Sequence, residues 1–330
     1  MTEQTAFLVR VSISQWSPRK LDRKASRAAR EEAGASDKAG VKVYKTLMAA
    51  EALEAVSSIA GEARAEHRNR TVPWQYDGPG CITADGYQDY VDAMAKYKAD
   101  FERAVKVFLN CYDSERAAAP ANLGALYNEA DYPSLAEVAA KFSFETAADP
   151  LPQSADFRVA GLTVSQTAAI KARIDANRIA ALEAARQSAW DRIVERVEKM
   201  QTKLREYKPA EGKNKAEGVF RDSLVSNVQE LINVLPSLNV TNDPDLTAIA
   251  TRLQTELCAF TAAELRESDA ARAKVASNAE QMLKDVWAKR RASRTEQATE
   301  AQTERALEIM TDLHQAEAEE DDEPPAELFA

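Results

Sequence analysis

"VSISQWSPRKLDRK", Val11–Lys24, poses the question that decides this fold: β-branched alternation, a tryptophan, a Ser-Pro turn, then four cations within six residues. Val9, Val11 and Ile13 fall on one side of an extended chain, and Arg10, Ser12 and Ser14 on the other. Period two with β-branched residues predicts a half-buried strand over Leu8–Gln15. Pro18 ends it, because its ring fixes φ and removes a donor. Arg19 to about Gly34 is polar and reads as helix. On that reading Trp16 packs beneath a strand-to-helix turn. Arg19 then shares a helix face with Arg23, as Lys20 does with Lys24, and Arg27 and Arg30 prolong the basic side. Such a run offers contact with a phosphate backbone, where cations displace condensed counterions. The plainer reading is a solvated face.

The chain has 330 residues, room for two domains or one elongated helical body. Only ten glycines beside abundant alanine favour helix. The net charge of −10 argues against the whole surface coating nucleic acid or an anionic membrane, but not against a local basic patch. Cys81, Cys111 and Cys258 lie far apart without a CxxC pair, and His67 and His314 are isolated. This reads as reduced thiols in a cytosol, with no zinc site and no cofactor. The start "MTEQTAFLVRVSIS" lacks the basic end and apolar run of a signal peptide. No window of 18 uninterrupted apolar residues occurs, so no integral membrane segment is expected and the cytoplasm is the expected location.

Gly40 introduces a second helix, Val41 to Ala65, with Tyr44, Leu47, Met48, Leu53, Val56 and Ile59 as its apolar stripe. "TVPWQYDGPGCITADG", Thr71–Gly86, is rich in turn residues and reads as a loop. A strong helix follows from about Tyr87 to Tyr112, its apolar face made by Tyr90, Met94, Tyr97, Phe101, Val105 and Phe108. Ser134 and Glu137 have the spacing of a capping box. Phe157–Val159 suggests a second short strand, paired with Val9–Ser14, which would close residues 1–163 into one α+β unit.

The second half changes character. Ser165 to about Tyr207 holds neither Pro nor Gly, and Trp190, Ile193, Val197, Met200, Leu204 and Tyr207 recur as a heptad seam. Ile179 and Leu182 extend it less regularly. A shorter helix, Val219–Leu235, should end at Pro236. Asn242 or Asp243 can cap a helix opening at Pro244, which could run to about His314 with Leu246, Ile249, Leu253, Leu257 and Phe260 as its stripe. The tail, residues 316–330, is acidic and proline-bearing and reads as disordered. The fold class is therefore mainly α: a small α+β head (1–163) with a short two-stranded sheet, then a long helical hairpin or coiled-coil stalk (164–315).

Candidate interaction residues fall in three places. Trp16, Arg19, Lys20, Arg23 and Lys24 form the first. Trp74, Tyr76 and Asp77 sit in the Pro/Gly-rich loop, where an aromatic beside an acid suits recognition; the competing role for Trp74 is a core plug. Trp287, Lys289, Arg290 and Arg291 lie in "KDVWAKRRASR", a cation-rich helix suited to nucleic acid, an acidic partner or the chain's own acidic tail, or else a coiled-coil flank. Asp156 and Arg158 flank Phe157 and read as a register-fixing pair that could meet Arg10. No Gly-rich phosphate loop, GxSxG, HExxH or DxDxDG occurs, and no pair of carboxylates is set for acid–base work. Nothing in the sequence supports an enzyme.

"VSISQWSPRKLDRK", "YKTLM", "VPWQYDGPG", "NLGALYNEADYPS", "KFSFE" and "PLPQSADFRV", with "LPSLNVTNDPDL" in the second half, resemble an uncharacterised family of phage- and plasmid-encoded proteins. The resemblance covers roughly residues 8–160 and 219–257. Members are often encoded near a MoxR-type AAA+ ATPase and a protein with a von Willebrand A domain. The resemblance implies a mobile element in a host cytoplasm and brings no catalytic residues. The leading expectation is a non-enzymatic scaffold or adaptor that works with such an ATPase module and forms oligomers through its stalk. The alternative is a nucleic-acid-binding protein using the two basic clusters. A membrane-active helical protein is a weaker third, set back by the lack of a long apolar helix.

Overall fold

The alternation around Val11 is realised as a strand, but its neighbours are not those expected. The computed structural model of the chain describes residues 6–74, 78–210 and 215–291. In chain order the elements are β1 (Ala6–Ser14), β2 (Arg19–Asp22), α1 (Arg23–Glu32), β3 (Val43–Thr46), α2 (Glu51–Arg70), β4 (Val72–Pro73), β5 (Gly80–Thr83) and α3 (Ala84–Leu123). Then come α4 (Leu135–Ala139), β6 (Ser143–Pro150), α5 (Val164–Glu206), α6 (Ser223–Leu238), α7 (Pro244–Arg252), α8 (Ala262–Glu267) and a helix, α9, over 269–291. The protein is mainly α, with one four-stranded and one two-stranded sheet.

The four-stranded sheet is antiparallel in the order β4-β5-β1-β6. Phe7, Val9, Val11 and Ile13 of β1 turn one face to the helices, as the alternation requires. The partner of β1 is not Phe157–Val159. It is β6, with Val11 opposite Thr146 and Ile13 opposite Phe144, and β5 on the other edge. Residues Ser154–Asp156 form a 3-10 turn instead. Arg10 pairs with Asp149 at 2.6 Å, and Asp156 and Arg158 are exposed. The eight-residue length of β6 outcompetes a three-residue run, since every added rung satisfies more backbone groups.

Two helices were expected where the chain forms strands. Arg19–Asp22 is β2, and Val43–Thr46 is β3, paired antiparallel with Leu21 opposite Tyr44. Leu47 N–H also donates to the Pro18 carbonyl at 2.8 Å, closing the end of this ribbon. Helix α1 begins only at Arg23, where Asp22 accepts from Ala25 N–H at 2.9 Å as N-cap. Helix α2 begins at Glu51, so Tyr44, Leu47 and Met48 are outside its stripe.

The chain divides into two compact units. Among the described residues the first holds those up to 192 with 230–251, and the second holds those of 193–229 with 252–291. In the first, α3 presents Tyr90, Met94, Phe101, Phe108 and Tyr112 to α2 and the sheet, each at most 2% exposed. Trp16 is buried against Phe108 and Tyr112, with ring centroids 6.0 and 5.8 Å away. The expected face of α3 is thus correct, while the helix itself runs on to Leu123. The capping box at Ser134 and Glu137 forms as its spacing requires.

The end of α2 is where α5 and α6 are held. Arg192 of α5 donates to the carbonyls of Arg68, Asn69 and Thr71 at 2.8, 2.9 and 2.7 Å. Thr71 Oγ1 donates to the His67 carbonyl at 2.8 Å, and Ser237 Oγ of α6 lies 3.4 Å from the Arg70 carbonyl. The orphan carbonyls that every helix leaves at its C-terminus are met here by side chains from distant segments.

In the second unit Ile193, Val197, Met200 and Leu204 are buried, as the heptad seam predicts. Arg205 pairs with Glu280, and the Arg272 guanidinium lies 4.8 Å from the Tyr207 ring centroid, so the end of α5 and α9 run antiparallel. Pro236 does not end α6, which continues to Leu238. Pro244 opens α7 as read. The helix expected from there to His314 is broken. A π-turn over Leu253–Leu257 and a fresh capping box at Thr261 and Glu264 interrupt it, and α9 starts anew. The acidic tail lies outside the described residues.

Candidate functional site

The β2–α1–β3 segment concentrates positive charge. Residues 19–46 carry nine Lys or Arg and four Asp or Glu, in a chain whose net charge is −10. The strand register sorts these charges by face. Lys20 and Lys45 are directly opposite on one side, and Arg19, Leu21 and Tyr44 share the other.

Two lysines opposite each other repel unless neutralised. Lys45 is 7% exposed, and its three donors have three acceptors: Leu126 O at 2.6 Å, Asp131 Oδ2 at 2.7 Å and Asp22 Oδ2 at 3.1 Å. Lys20 reaches the other oxygen of Asp131 at 3.1 Å. Hydrogen bonding to Asp131 holds the Lys45 ammonium above the usual lysine range. Lys45 in turn holds Asp131 below the usual carboxylate range. Asp22 is lowered by the Ala25 N–H first and by Lys45 second. Two of the cations in this segment therefore belong to an internal clamp.

The opposite face is open. Tyr44 is 48% exposed and Leu21 38%. The Arg19 guanidinium lies 5.0 Å from the Tyr44 ring centroid. Ser26 accepts from Val43 N–H at 2.9 Å and donates to the Asp22 carbonyl at 2.6 Å, fastening α1 to the ribbon. Arg23, Lys24 and Arg27 are exposed on α1, and none forms an ion pair among the described residues. Arg30 pairs with Asp37 at 2.9 Å, and Glu31 and Glu32 close the far end of the helix.

A second feature of the same unit is a groove of about 660 Å3 between α2 and α3. Ala55, Ile59, Ala104 and Val107 line it over a floor of Val56 and Phe108, and Val107 is 59% exposed. Glu51, Asp100 and Glu115 stand on its rim, with Arg103 bound to Asp100 at 2.9 Å. Deeper in the unit, His67 Nδ1 and Tyr90 Oη lie 2.9 Å apart. Burial pushes the His67 imidazole below its usual range and the Tyr90 phenol up to about 12. Among the described residues no group of three or more His, Cys, Asp or Glu could hold a metal ion, and no helix is long and apolar enough to cross a membrane.

The structure separates the sequence candidates. Trp16 and Trp74 are core residues, 9% and 3% exposed. Asp77 and Tyr76 lie outside the described residues. Arg19, Lys20, Arg23 and Lys24 do not share helix faces, because a strand sends Arg19 and Lys20 to opposite sides. Trp287 is 44% exposed on α9 with the Arg290 guanidinium 5.1 Å from its ring centroid; Lys289 and Arg291 are exposed beside it, in the second unit. Lys45, Asp131 and Val107 were not singled out by sequence, and Tyr44 was named only in a helical stripe. For Tyr44 a signal existed, since "VKVYK" alternates β-branched and polar residues as a strand does. No protein-family model, curated protein or solved structure matches the chain.

Proposed function

We propose that the protein is a non-enzymatic adaptor or scaffold of a mobile element, working beside an AAA+ ATPase and a von Willebrand A-domain protein. The observation that carries this reading is the α2–α3 groove. Its apolar walls are open, with Val107 more than half exposed, and its rim is net acidic. An amphipathic helix with an apolar stripe and flanking Lys or Arg is the complementary occupant. Phe108 and Val56 close the floor beneath such a stripe. Self-association is part of the scaffold reading, and exposed Val164 and Ile179 on α5 suit it.

The test is a tagged pulldown from the native host after nuclease treatment, read by mass spectrometry, with the full chain and its Val107→Asp variant side by side. Retention of the ATPase or the von Willebrand A-domain protein by the full chain, and its loss with Val107→Asp, is the expected result. If neither protein is retained, or the variant retains it equally, the reading is wrong.

A further inference from the structure

We propose that the open face of the β2–β3 ribbon, with the adjoining start of α1, is a binding site for single-stranded nucleic acid. This goes beyond the adaptor reading and stands independently of it. Three observations converge. First, the register places Arg19, Leu21 and Tyr44 on one face, with Tyr44 and Leu21 left exposed. An exposed tyrosine on a sheet face is a stacking platform for an unpaired base. The Arg19 guanidinium lies over one face of the Tyr44 ring, and its own plane is a second surface on which a base can stack.

Second, Arg23, Lys24 and Arg27 follow directly from β2 and are exposed without ion pairs among the described residues. Cations that stabilise a fold are paired, as Lys20 and Lys45 are here. Those left free on α1 have phosphate-binding capacity that the fold does not use. Third, the clamp beneath makes the ribbon rigid: Lys45 is fully satisfied, so the outer face is held in place before any ligand arrives. A single strand is favoured over a duplex because the platform is an exposed aromatic ring, and only an unpaired base has a free face to stack on one. A bare anionic surface would use the cations and leave Tyr44 idle.

The experiment is fluorescence anisotropy of the full chain with a short labelled oligothymidylate over a range of salt, with unchanged far-UV circular dichroism required of each variant. Combined Arg23→Gln, Lys24→Gln and Arg27→Gln should weaken binding and lower the salt slope by about 2, near 0.7 for each lost phosphate contact. Tyr44→Ala should weaken binding about tenfold with the slope unchanged. Combined Lys96→Gln, Lys98→Gln and Lys106→Gln on α3, equal in charge, should leave binding as it was. Absence of binding at low salt, equal losses in the α1 and α3 variants, or a neutral Tyr44→Ala overturns the proposal. Binding to phosphatidylserine vesicles but not to the oligonucleotide also overturns it, in favour of a membrane surface.

Discussion

Lys45 Nζ lies 2.7 Å from Asp131 Oδ2, so an ion pair joins the Lys45 bond to the Leu126 carbonyl in fastening β3 to the turns that follow α3. Both side chains are largely hidden, at 6% and 12% exposure. Removing one partner leaves Asp131 with Lys20 alone, or Lys45 with Asp22 and the Leu126 carbonyl, and a charged hydrogen bond of this kind contributes about 2 kcal/mol. Lys45→Met and Asp131→Asn should each lower unfolding free energy by about that amount in urea titrations. The double variant should cost less than the sum, giving a coupling of about 1 kcal/mol or more. Lys20→Met, whose side chain is 47% exposed, should cost under about 1 kcal/mol.

His67 and the clamp groups set the pH limits of stability. His67 has a folded pKa below its unfolded value, so the unfolded chain binds its proton first on acidification. Stability should therefore begin to fall as pH drops below about 6.5, and His67→Gln should flatten that step in unfolding curves. Asp131 and Asp22 are also lowered, so their contribution is present above about 3.8 and is lost as pH falls through their folded values. Lys45 is raised, so its contribution holds below about 10.5 and disappears above that. A stability plateau between these limits is expected.

Gly86 sits where the start of α3 meets the end of α6. A Cβ there would lie 2.2 Å from Ser237 Cβ and 3.0 Å from its Cα, and a side chain this short cannot swing away. Gly86→Ala should destabilise by about 2 kcal/mol through overpacking. Adding Ser237→Gly should recover part of the loss, whereas Ser237→Gly alone should be mildly destabilising. Thermal unfolding of the three variants checks this.

Arg192 caps three carbonyls at the end of α2 with one guanidinium. Arg192→Ala should cost about 2 kcal/mol. Arg192→Lys should recover only part, because an ammonium cannot reproduce the planar fork. Hydrogen exchange should show faster opening of the last turn of α2 in both variants.

Two misreadings show where sequence reasoning stops. In Val41–Ile59, residues 44, 47 and 48 fit a helical stripe as well as 53, 56 and 59 do, yet the first three precede the helix. Local spacing offers both readings, since "VKVYK" also alternates as a strand does, and what decides between them is that the backbone of Val43–Thr46 is claimed by Arg19–Asp22. The basic run was legible as charge but not as a site. Whether Lys20 joins Arg19 or opposes it depends on helix or strand, and the clamp carboxylate Asp131 comes from another segment altogether.

By itself the sequence determined what depends on neighbours within a few residues. It set the two faces of β1, the apolar face of α3, the capping box at Ser134, the start of α7 at Pro244 and the buried seam of α5. Each follows from side-chain period or from a cap satisfying its own helix end. Only the tertiary structure decided that β1 pairs with β5 and β6, that Arg19–Asp22 and Val43–Thr46 are strands, and that the stretch after α7 breaks. Strand pairing depends on where distant backbone donors, acceptors and carboxylates come to rest; the break after α7 has a local mark in the capping-box spacing of Thr261 and Glu264, but that spacing does not say whether the preceding helix stops.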